Sequence, residues 1–210
     1  MNEYKQAETA LRKAFNGNPR QDWVAIRLAS TLEANGKHDE AKQVLIRCLQ
    51  DNPKSKKVHY ELARLYMKVA GSQENDLVLD HLRRSFTAGD QNYDAQFWFA
   101  RQTFLTGRTE EAMEVFRSLR DSNIPSKLRN EIRGAIRDES GRSQVYLGEV
   151  ANIEDSYMFV DSPEFSRNIF VHRTNVADEN WPRLKRGSRV AFTVGFNMRG
   201  PTAASARPLD

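Results

Sequence analysis

Residues 157–172 read YMFVDSPEFSRNIFVH, two short alternating segments joined by a turn-rich stretch. Tyr157–Val160 and Ile169–Arg173 have the period of two that is typical of β-strands, and Asp161-Ser-Pro-Glu between them supplies turn residues. Before and after these two segments in the sequence, the pattern predicts further strands at Tyr146–Val150 and Arg189–Val194. Several short strands within about 65 residues predict a small β-barrel.

The two central strands carry rings where polar side chains are expected. If their aliphatic side chains face inward, alternation turns four rings to the opposite face: Tyr157, Phe159, Phe170 and His172. Two explanations stay open. The rings are stacking platforms for unpaired bases, or they pack on the helical domain or on a partner.

The order and spacing of five segments resemble a cold-shock domain. These segments are Gly148–Val150, Tyr157–Val160, Ile169–His172, Trp181–Gly187 and Arg199–Ala203. The resemblance implies a five-stranded antiparallel barrel of the oligonucleotide-binding (OB) type. It implies that the four rings occupy the aromatic positions of two ribonucleoprotein-type motifs, and that Trp181 adds a stacking ring. A tryptophan beside Pro182 can instead simply close the barrel.

The sequence also departs from the cold-shock pattern. Asn152 and Ile153 stand where the family has a tryptophan and a phenylalanine, Met158 replaces a glycine, and Arg173 replaces an aromatic residue. A guanidinium can stack on a base or meet a phosphate, so Arg173 remains a candidate contact. Two loop residues, Lys185 and Arg186, are candidates for phosphate contact, whereas Arg199 is either a contact or a turn residue.

The first half of the chain repeats with a period of 34 residues. Ala7, Leu11, Ala14 and Pro19 are followed at that distance by Ala41, Leu45, Cys48 and Pro53. The small–large–small spacing fits one face of a helix that packs closely on a neighbour. Gly36 and Gly107 fall in turns where a left-handed residue is favoured. The pattern resembles the tetratricopeptide repeat over roughly residues 1–125, with a longer turn near Gly71-Ser72-Gln73.

In a tetratricopeptide solenoid the first helix of each pair lines the concave groove. The resemblance therefore places a candidate partner groove at seven residues: Trp23, Ile26, Tyr60, Arg64, Phe97, Arg101 and Phe104. A groove rich in rings binds an amphipathic segment of a partner or is filled by the protein's own chain. The sequence does not decide between a partner segment and the protein's own chain.

The sequence predicts two domains and a linker. Residues 1–138 form the helical domain, 139–145 the linker and 146–208 the barrel, with a capping helix over 126–138 whose arginines form one stripe. Since residue 1 falls within a repeat, Leu11 and Phe15 are expected to face an absent neighbour. The chain is then the C-terminal part of a longer polypeptide, or its first helix is a cap.

Catalytic, metal-bound and membrane-bound functions find little support. His38, His59, His81 and His172 show no metal-ligand spacing, no glycine-rich phosphate loop occurs, and the single cysteine, Cys48, excludes an intrachain disulfide. We expect no cofactor, no metal and no membrane contact. We expect a cytoplasmic protein.

The fold class predicted is α then β: a tetratricopeptide solenoid followed by a small five-stranded antiparallel OB-type barrel. The predicted function is a non-enzymatic module that binds single-stranded nucleic acid, with RNA favoured over DNA, and holds a protein or peptide partner in the solenoid groove. Two alternatives remain. One is a pure protein-interaction scaffold with a degenerate barrel, and the other is the sensor or targeting end of a larger enzyme.

Overall fold

The computed structural model describes residues 2–69, 75–138 and 140–209. The chain divides into two compact units, Met1–Gln102 and Thr103–Asp210. The turn predicted near Gly71-Ser72-Gln73 lies outside the described residues, as does residue 139 of the predicted linker.

The first unit is made of helices. In chain order they are α1 (Asn2–Gly17), α2 (Asp22–Ala34), α3 (His38–Asp51), α4 (Lys56–Val69), α5 (Asn75–Arg84) and the first ten residues of α6 (Tyr93–Leu105). α2 packs against α3 and α4 against α5. Gly36 ends α2 with a φ of 74°, which is the left-handed turn that the repeat predicts. The helical solenoid is confirmed.

The repeat positions form the core of this unit. Ala41, Leu45 and Cys48 are fully buried on one face of α3, as expected for residues spaced i, i+4 and i+7. Burial raises the pKa of the Cys48 thiol to about 11, so the thiol stays protonated near neutral pH.

The apolar side chains of α1 are more deeply buried than the sequence predicts. Phe15 is only 3% exposed, Leu11 packs against the same core cluster, and the Arg47 guanidinium lies 5.5 Å from the centre of the Phe15 ring. The expectation that both residues face an absent neighbour is wrong. α2 and α3 cover this face of α1.

Two carboxylates, the buried Glu8 and the half-buried Asp22, connect the helices of the repeats. Glu8 accepts hydrogen bonds from Lys37 at 2.9 Å, Arg12 at 3.0 Å and Asn35 at 2.9 Å, and these bonds lower its pKa to about 2. Asp22 accepts from Asn52 at 2.7 Å and from Ser55 at 2.6 Å. Each carboxylate thus ties a helix to a turn about 30 residues further along the chain.

Two histidines meet between α4 and α5. Their Nδ1 atoms are 2.9 Å apart, and His59 Nε2 lies 3.0 Å from the Pro53 carbonyl oxygen. Because a carbonyl only accepts, His59 carries its proton on Nε2, and its Nδ1 accepts from His81. This arrangement suits two neutral rings, which share one hydrogen between their Nδ1 atoms. Burial, followed by the neighbouring His59, lowers the pKa of His81 to about 4, and burial also lowers the pKa of His59.

The histidine pair predicts a pH-dependent stability of the first unit. Because the folded-state pKa of His81 is about 4, below its ordinary 6.5, the unfolded chain binds a proton first as the pH falls. The contribution of His81 to the free energy of unfolding is complete above pH 6.5 and is lost progressively toward pH 4, by about 2 kcal/mol between pH 7 and pH 5. Urea unfolding followed by helical circular dichroism measures this loss.

A variant isolates the contribution of this pair. His81→Phe keeps a ring against Tyr66 (5.9 Å between ring centres in the native protein) and removes the titrating group, so the slope between pH 7 and pH 5 flattens. His38→Gln, at an exposed position, is the matched control and keeps the native slope. An unchanged slope in His81→Phe contradicts the assignment.

The second unit consists of two helices and a barrel. After the end of α6 come α7 (Thr109–Asp121) and α8 (Ser126–Glu131), and then the strands β1 (Gly134–Ala135), β2 (Val145–Ile153), β3 (Tyr157–Asp161), β4 (Ile169–His172), β5 (Arg189–Asn197) and β6 (Gly200–Pro208). The strand order is β1-β5-β2-β3-β4-β6, and pairing of β5 with β6 closes the barrel. The predicted barrel is confirmed, but β4 and β6 pair in parallel, through Phe170 and Thr202, so the sheet is mixed.

The capping helix predicted over 126–138 is wrong beyond Glu131. Ile132 is extended (ψ 112°), and Gly134 and Ala135 pair with β5. Ile136 N–H donates to the Val194 carbonyl at 3.1 Å. Pairing with β5 outweighs the helical periodicity of this segment, which also contains a glycine and β-branched residues. Residues 140–144 then lead into β2.

The barrel core is formed by the inward side chains of the strands. The buried residues include Val150, Met158, Val160, Ile169, Val171, Val190, Phe192, Val194 and Ala203. Gly148 is required by close approach, since a Cβ there would lie 2.4 Å from the Asp161 carbonyl oxygen and 2.5 Å from Val160 Cγ1.

An aromatic seam joins the helices of this unit to the barrel. Phe116 of α7 stacks on Phe196 of β5 with 6.2 Å between ring centres, and Phe104 meets Phe196 edge-on at 5.6 Å. Phe165 of the β3–β4 loop lies 5.9 Å from Phe104 and 4.8 Å from Tyr146. Phe104 is 5% exposed, so its assignment to the open groove is wrong: the protein's own chain fills this position.

From the ring contacts between α7 and β5 we predict that α7 stabilises the barrel. Phe116 is fully buried, so Phe116→Ala removes a large side chain from the shared core. We expect the free energy of unfolding of the second unit to fall by about 3–5 kcal/mol. Hydrogen exchange of the β5 amides measures it.

Arg117→Ala, at the exposed neighbouring position, is the control. Native protection of the β5 amides in Phe116→Ala would show that the barrel is stable without the seam.

Candidate nucleic-acid interface

The register of β3 and β4 brings the four predicted rings together. Tyr157 lies directly opposite His172, and Phe159 lies directly opposite Phe170. Residues opposite one another in an antiparallel pair share a face of the sheet. The alternate positions Met158, Val160, Ile169 and Val171 are buried, which fixes the rings on the outer side of the barrel. We call these four rings the ring face.

The rings of this face contact one another at stacking distances. Tyr157 is 5.7 Å from both Phe159 and Phe170, measured between ring centres, and Phe159 is 5.8 Å from Phe170. His172 lies 6.5 Å from Phe170. Tyr157, Phe159 and Phe170 are half-buried and His172 is exposed, so the face keeps aromatic surface accessible.

His172 carries a defined hydrogen-bonding pattern. The Thr174 N–H donates to His172 Nδ1 at 3.3 Å, and the Thr174 hydroxyl lies 2.8 Å from the same atom. Because a backbone N–H only donates, Nδ1 is the acceptor and the neutral ring carries its proton on Nε2. His172 therefore offers one N–H donor at the end of the ring face.

A β-bulge adds a residue that the sequence alone did not place. The pairing of β2 with β3 shifts between Val150 and Asn152, and beyond the shift Asn152 lies opposite Phe159. Asn152 is exposed and shares the face of Phe159, and its Nδ2 donates to Glu154 Oε1 at 3.2 Å. Simple alternation from Val150 puts Asn152 on the inner side; only the bulge at Ala151 reverses it.

Trp181 does not join the ring face. It is 8% exposed in a short 3-10 turn, Trp181–Arg183, and the Arg173 guanidinium lies 6.0 Å from its ring centre. This burial favours the barrel-closing role over a stacking one. Arg173 is exposed. Its backbone N–H donates to the Ser156 carbonyl oxygen at 2.9 Å, which holds the residue beside the Tyr157 end of the ring face.

The other basic candidates lie in two places. Lys185 and Arg186 are exposed in the turn before β5, and this turn is tied to β2 by the Gly187 N–H, which donates to the Val150 carbonyl at 2.8 Å. Arg186 lines a cleft of about 400 Å³ with Glu149 and Asp161. Arg199 is exposed in the β5–β6 turn, where its N–H donates to Asn197 Oδ1 at 2.7 Å. The nine residues of β5, about 30 Å of strand, separate the two turns.

In the first unit, the groove candidates differ in exposure. Trp23 is 65% exposed on α2, and Ile26 is half-buried against the core. Phe97 is fully buried, so its place in an open groove is wrong: it belongs to the interior of the unit.

A neighbouring tryptophan, not singled out by the repeat pattern, links the remaining groove candidates. The Trp98 indole N–H donates to the Tyr60 hydroxyl, whose pKa is raised by burial. Arg101 lies 5.4 Å from the centre of the Trp98 ring, and its burial lowers its pKa to about 10. Arg64 pairs with Glu61 at 2.8 Å and with Glu33 at 2.9 Å. The cations of this surface thus have partners on the same unit.

Metal-ligating side chains do not cluster within the part of the chain that the structure describes. No group of three or more His, Cys, Asp or Glu residues there could hold an ion. Among the same residues, no helix is both long enough and apolar enough to cross a bilayer.

Comparisons of sequence relate the chain to two families. A family model described as Tetratricopeptide repeat matches residues 22–65. Cold shock-like protein CspA of Vibrio cholerae is 32% identical over 69 residues, which is 32% of this chain and 99% of that protein. Probable cold shock protein A of Mycobacterium tuberculosis is 29% identical over 58 residues, covering 28% of this chain and 87% of that protein.

Solved structures match a little over half of the chain. MamA matches with a TM-score of 0.46 and 18% identity over 55% of this chain and 66% of its own. YrrB, described as a TPR protein with an unusual peptide-binding site, matches with a TM-score of 0.47 and 20% identity over 56% of this chain and 59% of its own. The chain thus spans less than two thirds of either structure.

Proposed function

We propose, from the premise that this chain belongs to the cold-shock family through its C-terminal barrel and carries tetratricopeptide repeats before it, that the barrel binds single-stranded nucleic acid. Both families are families of binding proteins, and the proposed activity is binding without catalysis. The cytoplasmic location stays a prediction.

The ring face is the observation that carries this proposal. Three half-buried rings and one exposed imidazole lie within stacking distance of one another on two adjacent strands. Unpaired bases stack on such platforms, and each stack contributes about 1–3 kcal/mol. A face of this kind binds bases with little sequence preference, because every base offers a π-face.

Basic side chains beside the ring face and across β2 from it support backbone contact. Arg173 lies beside the Tyr157 end, and Lys185 and Arg186 lie in the turn that is tied to β2. Residues 141–210 carry 9 Lys and Arg against 8 Asp and Glu, so a few local phosphate contacts rather than the overall field contribute to affinity. The proposed interface is therefore Tyr157, Phe159, Phe170, His172, Arg173, Lys185 and Arg186. Trp181 supports Arg173, and Arg199 serves the β5–β6 turn.

RNA is the proposed ligand in preference to DNA. Stacking alone does not distinguish RNA from DNA, since the bases of both offer the same π-faces. The His172 Nε2–H and the Asn152 amide at the margins of the ring face are groups with which a 2′-hydroxyl, both donor and acceptor, can form hydrogen bonds. Titration of RNA and DNA of the same sequence compares the two.

Removal of two rings tests the proposal. Tyr157→Ala/Phe170→Ala deletes one ring from each strand and leaves the inward core side chains unchanged. We expect affinity for a labelled single-stranded RNA to fall about 30-fold or more, since two stacks are lost. Fluorescence anisotropy measures the dissociation constant.

Leu147→Ala is the matched control for this experiment. Leu147 is 51% exposed on the outer side of β2, opposite Ala191 of β5, and does not belong to the ring face. Equal affinity of the folded double variant and the native protein contradicts the proposal. It would favour the alternative of a protein-interaction scaffold with a degenerate barrel.

We also propose that α2 and α4 hold a protein segment. Trp23 is the most exposed of the large hydrophobic side chains described, and Tyr60 and Arg64 continue the same series of first helices on α4. Because Arg64 and Lys68 are already paired with acidic residues, charge on the partner is not what this surface selects. The occupant proposed is an amphipathic segment that presents an apolar face to Trp23 and Ile26.

Substitution of the exposed tryptophan tests this second proposal. Peptides selected from a displayed random library on the native protein are titrated against Trp23→Ala, and we expect a tenfold or greater loss of affinity because buried Trp anchors dominate such interfaces. Leu77→Ala, 48% exposed on α5, is the control. Peptides that bind both variants equally well contradict this proposal.

A further inference from the structure

We propose that Asn152 and Glu154 make the ring face selective for guanine at the base that stacks on Phe159; this inference rests on the proposed function. Asn152 lies opposite Phe159 across the β2–β3 pair, on the same outer face, and it is exposed. A base stacked on the Phe159 ring therefore has its edge beside the Asn152 side chain, at the β2 margin of the platform.

The orientation of the Asn152 amide follows from its neighbour. Its Nδ2 donates to Glu154 Oε1 at 3.2 Å, so the amide nitrogen faces the carboxylate and Asn152 Oδ1 faces away from it. Within the described residues, neither Asn152 Oδ1 nor Glu154 Oε2 accepts a hydrogen bond. The margin thus presents two unused acceptors that are supplied by neighbouring side chains.

Two acceptor atoms on neighbouring side chains match the Watson–Crick edge of one base better than the edges of the other bases. The Watson–Crick edge of guanine carries two neighbouring donors, N1–H and N2–H. Cytosine and adenine offer one amino donor beside an acceptor nitrogen, and uracil offers one N–H between two carbonyls. A carboxylate or amide oxygen that meets an acceptor on the base loses a hydrogen bond and is repelled, so the mismatch costs more than the match gains.

The charge of Glu154 also favours a base over the backbone at this place. A phosphate is repelled by the carboxylate, whereas Lys185 and Arg186 lie on the far side of β2, in the turn tied to Val150. A strand whose phosphates follow that turn brings its bases toward the rings. The β2 margin then contacts base edges, which are the part of a nucleotide that carries sequence information.

Five RNAs test the inference. Each is a short uridine oligonucleotide with one central guanosine, inosine, adenosine, cytidine or uridine, titrated by fluorescence anisotropy. We expect the guanosine oligonucleotide to bind about tenfold tighter than the adenosine one, within the range of a good bidentate contact. Inosine keeps N1–H but lacks the N2 amino group, so we expect its affinity to be intermediate.

Variants assign the preference to these side chains. Glu154→Gln replaces one acceptor oxygen by a donor and removes the charge, and we expect the affinities for the guanosine and adenosine oligonucleotides to become equal within twofold. Asp155→Asn removes a charge from the adjacent exposed position and is the matched control, with the native preference expected.

The outcomes separate this inference from the proposed function. If the native protein binds the five RNAs equally, or if Glu154→Gln keeps the preference for guanosine, the inference is overturned while the binding function stands. If none of the five RNAs binds, both are overturned.

Discussion

Side chains on a β-strand alternate between the two faces, and on β3 and β4 this constraint determines both surfaces of the sheet. The barrel needs Met158, Val160, Ile169 and Val171 inside, so their neighbours along the chain must face outward. Those neighbours are the rings, and antiparallel pairing places them directly opposite one another. A slip of one residue in either strand would bury rings and expose aliphatic side chains, so the interior of the barrel and its proposed binding face depend on the same register.

The barrel also depends on residues that precede it in the sequence. Phe116 and Phe104 pack on Phe196, and β1 adds Gly134 and Ala135 to the edge of β5. The cold-shock relatives match this chain over 58–69 residues, a length close to that of the barrel itself. In this protein the barrel fold is thus built into a larger core, and the compact unit begins inside α6 at Thr103.

The sequence predicted the features that depend on local periodicity. The 34-residue repeat located the helix faces that bury Ala41, Leu45 and Cys48, and the period of two located the ring-bearing strands. Features that depend on tertiary contacts were missed or wrong. The helical pattern after Glu131 yields to pairing with β5, and Phe104 is covered by barrel rings. Asn152 reaches the ring face only through a bulge, which no alternation rule anticipates.

The single sulfhydryl gives the molecule a built-in chemical reporter. Cys48 is fully buried in the first unit, with its thiol held in the protonated, unreactive form. An alkylating reagent reaches the Cys48 thiol only when the repeats open. The labelling rate therefore reports how often the helical repeats open and does not report on the barrel. Opening of the first unit can thus be followed separately from the barrel, without the introduction of a foreign probe.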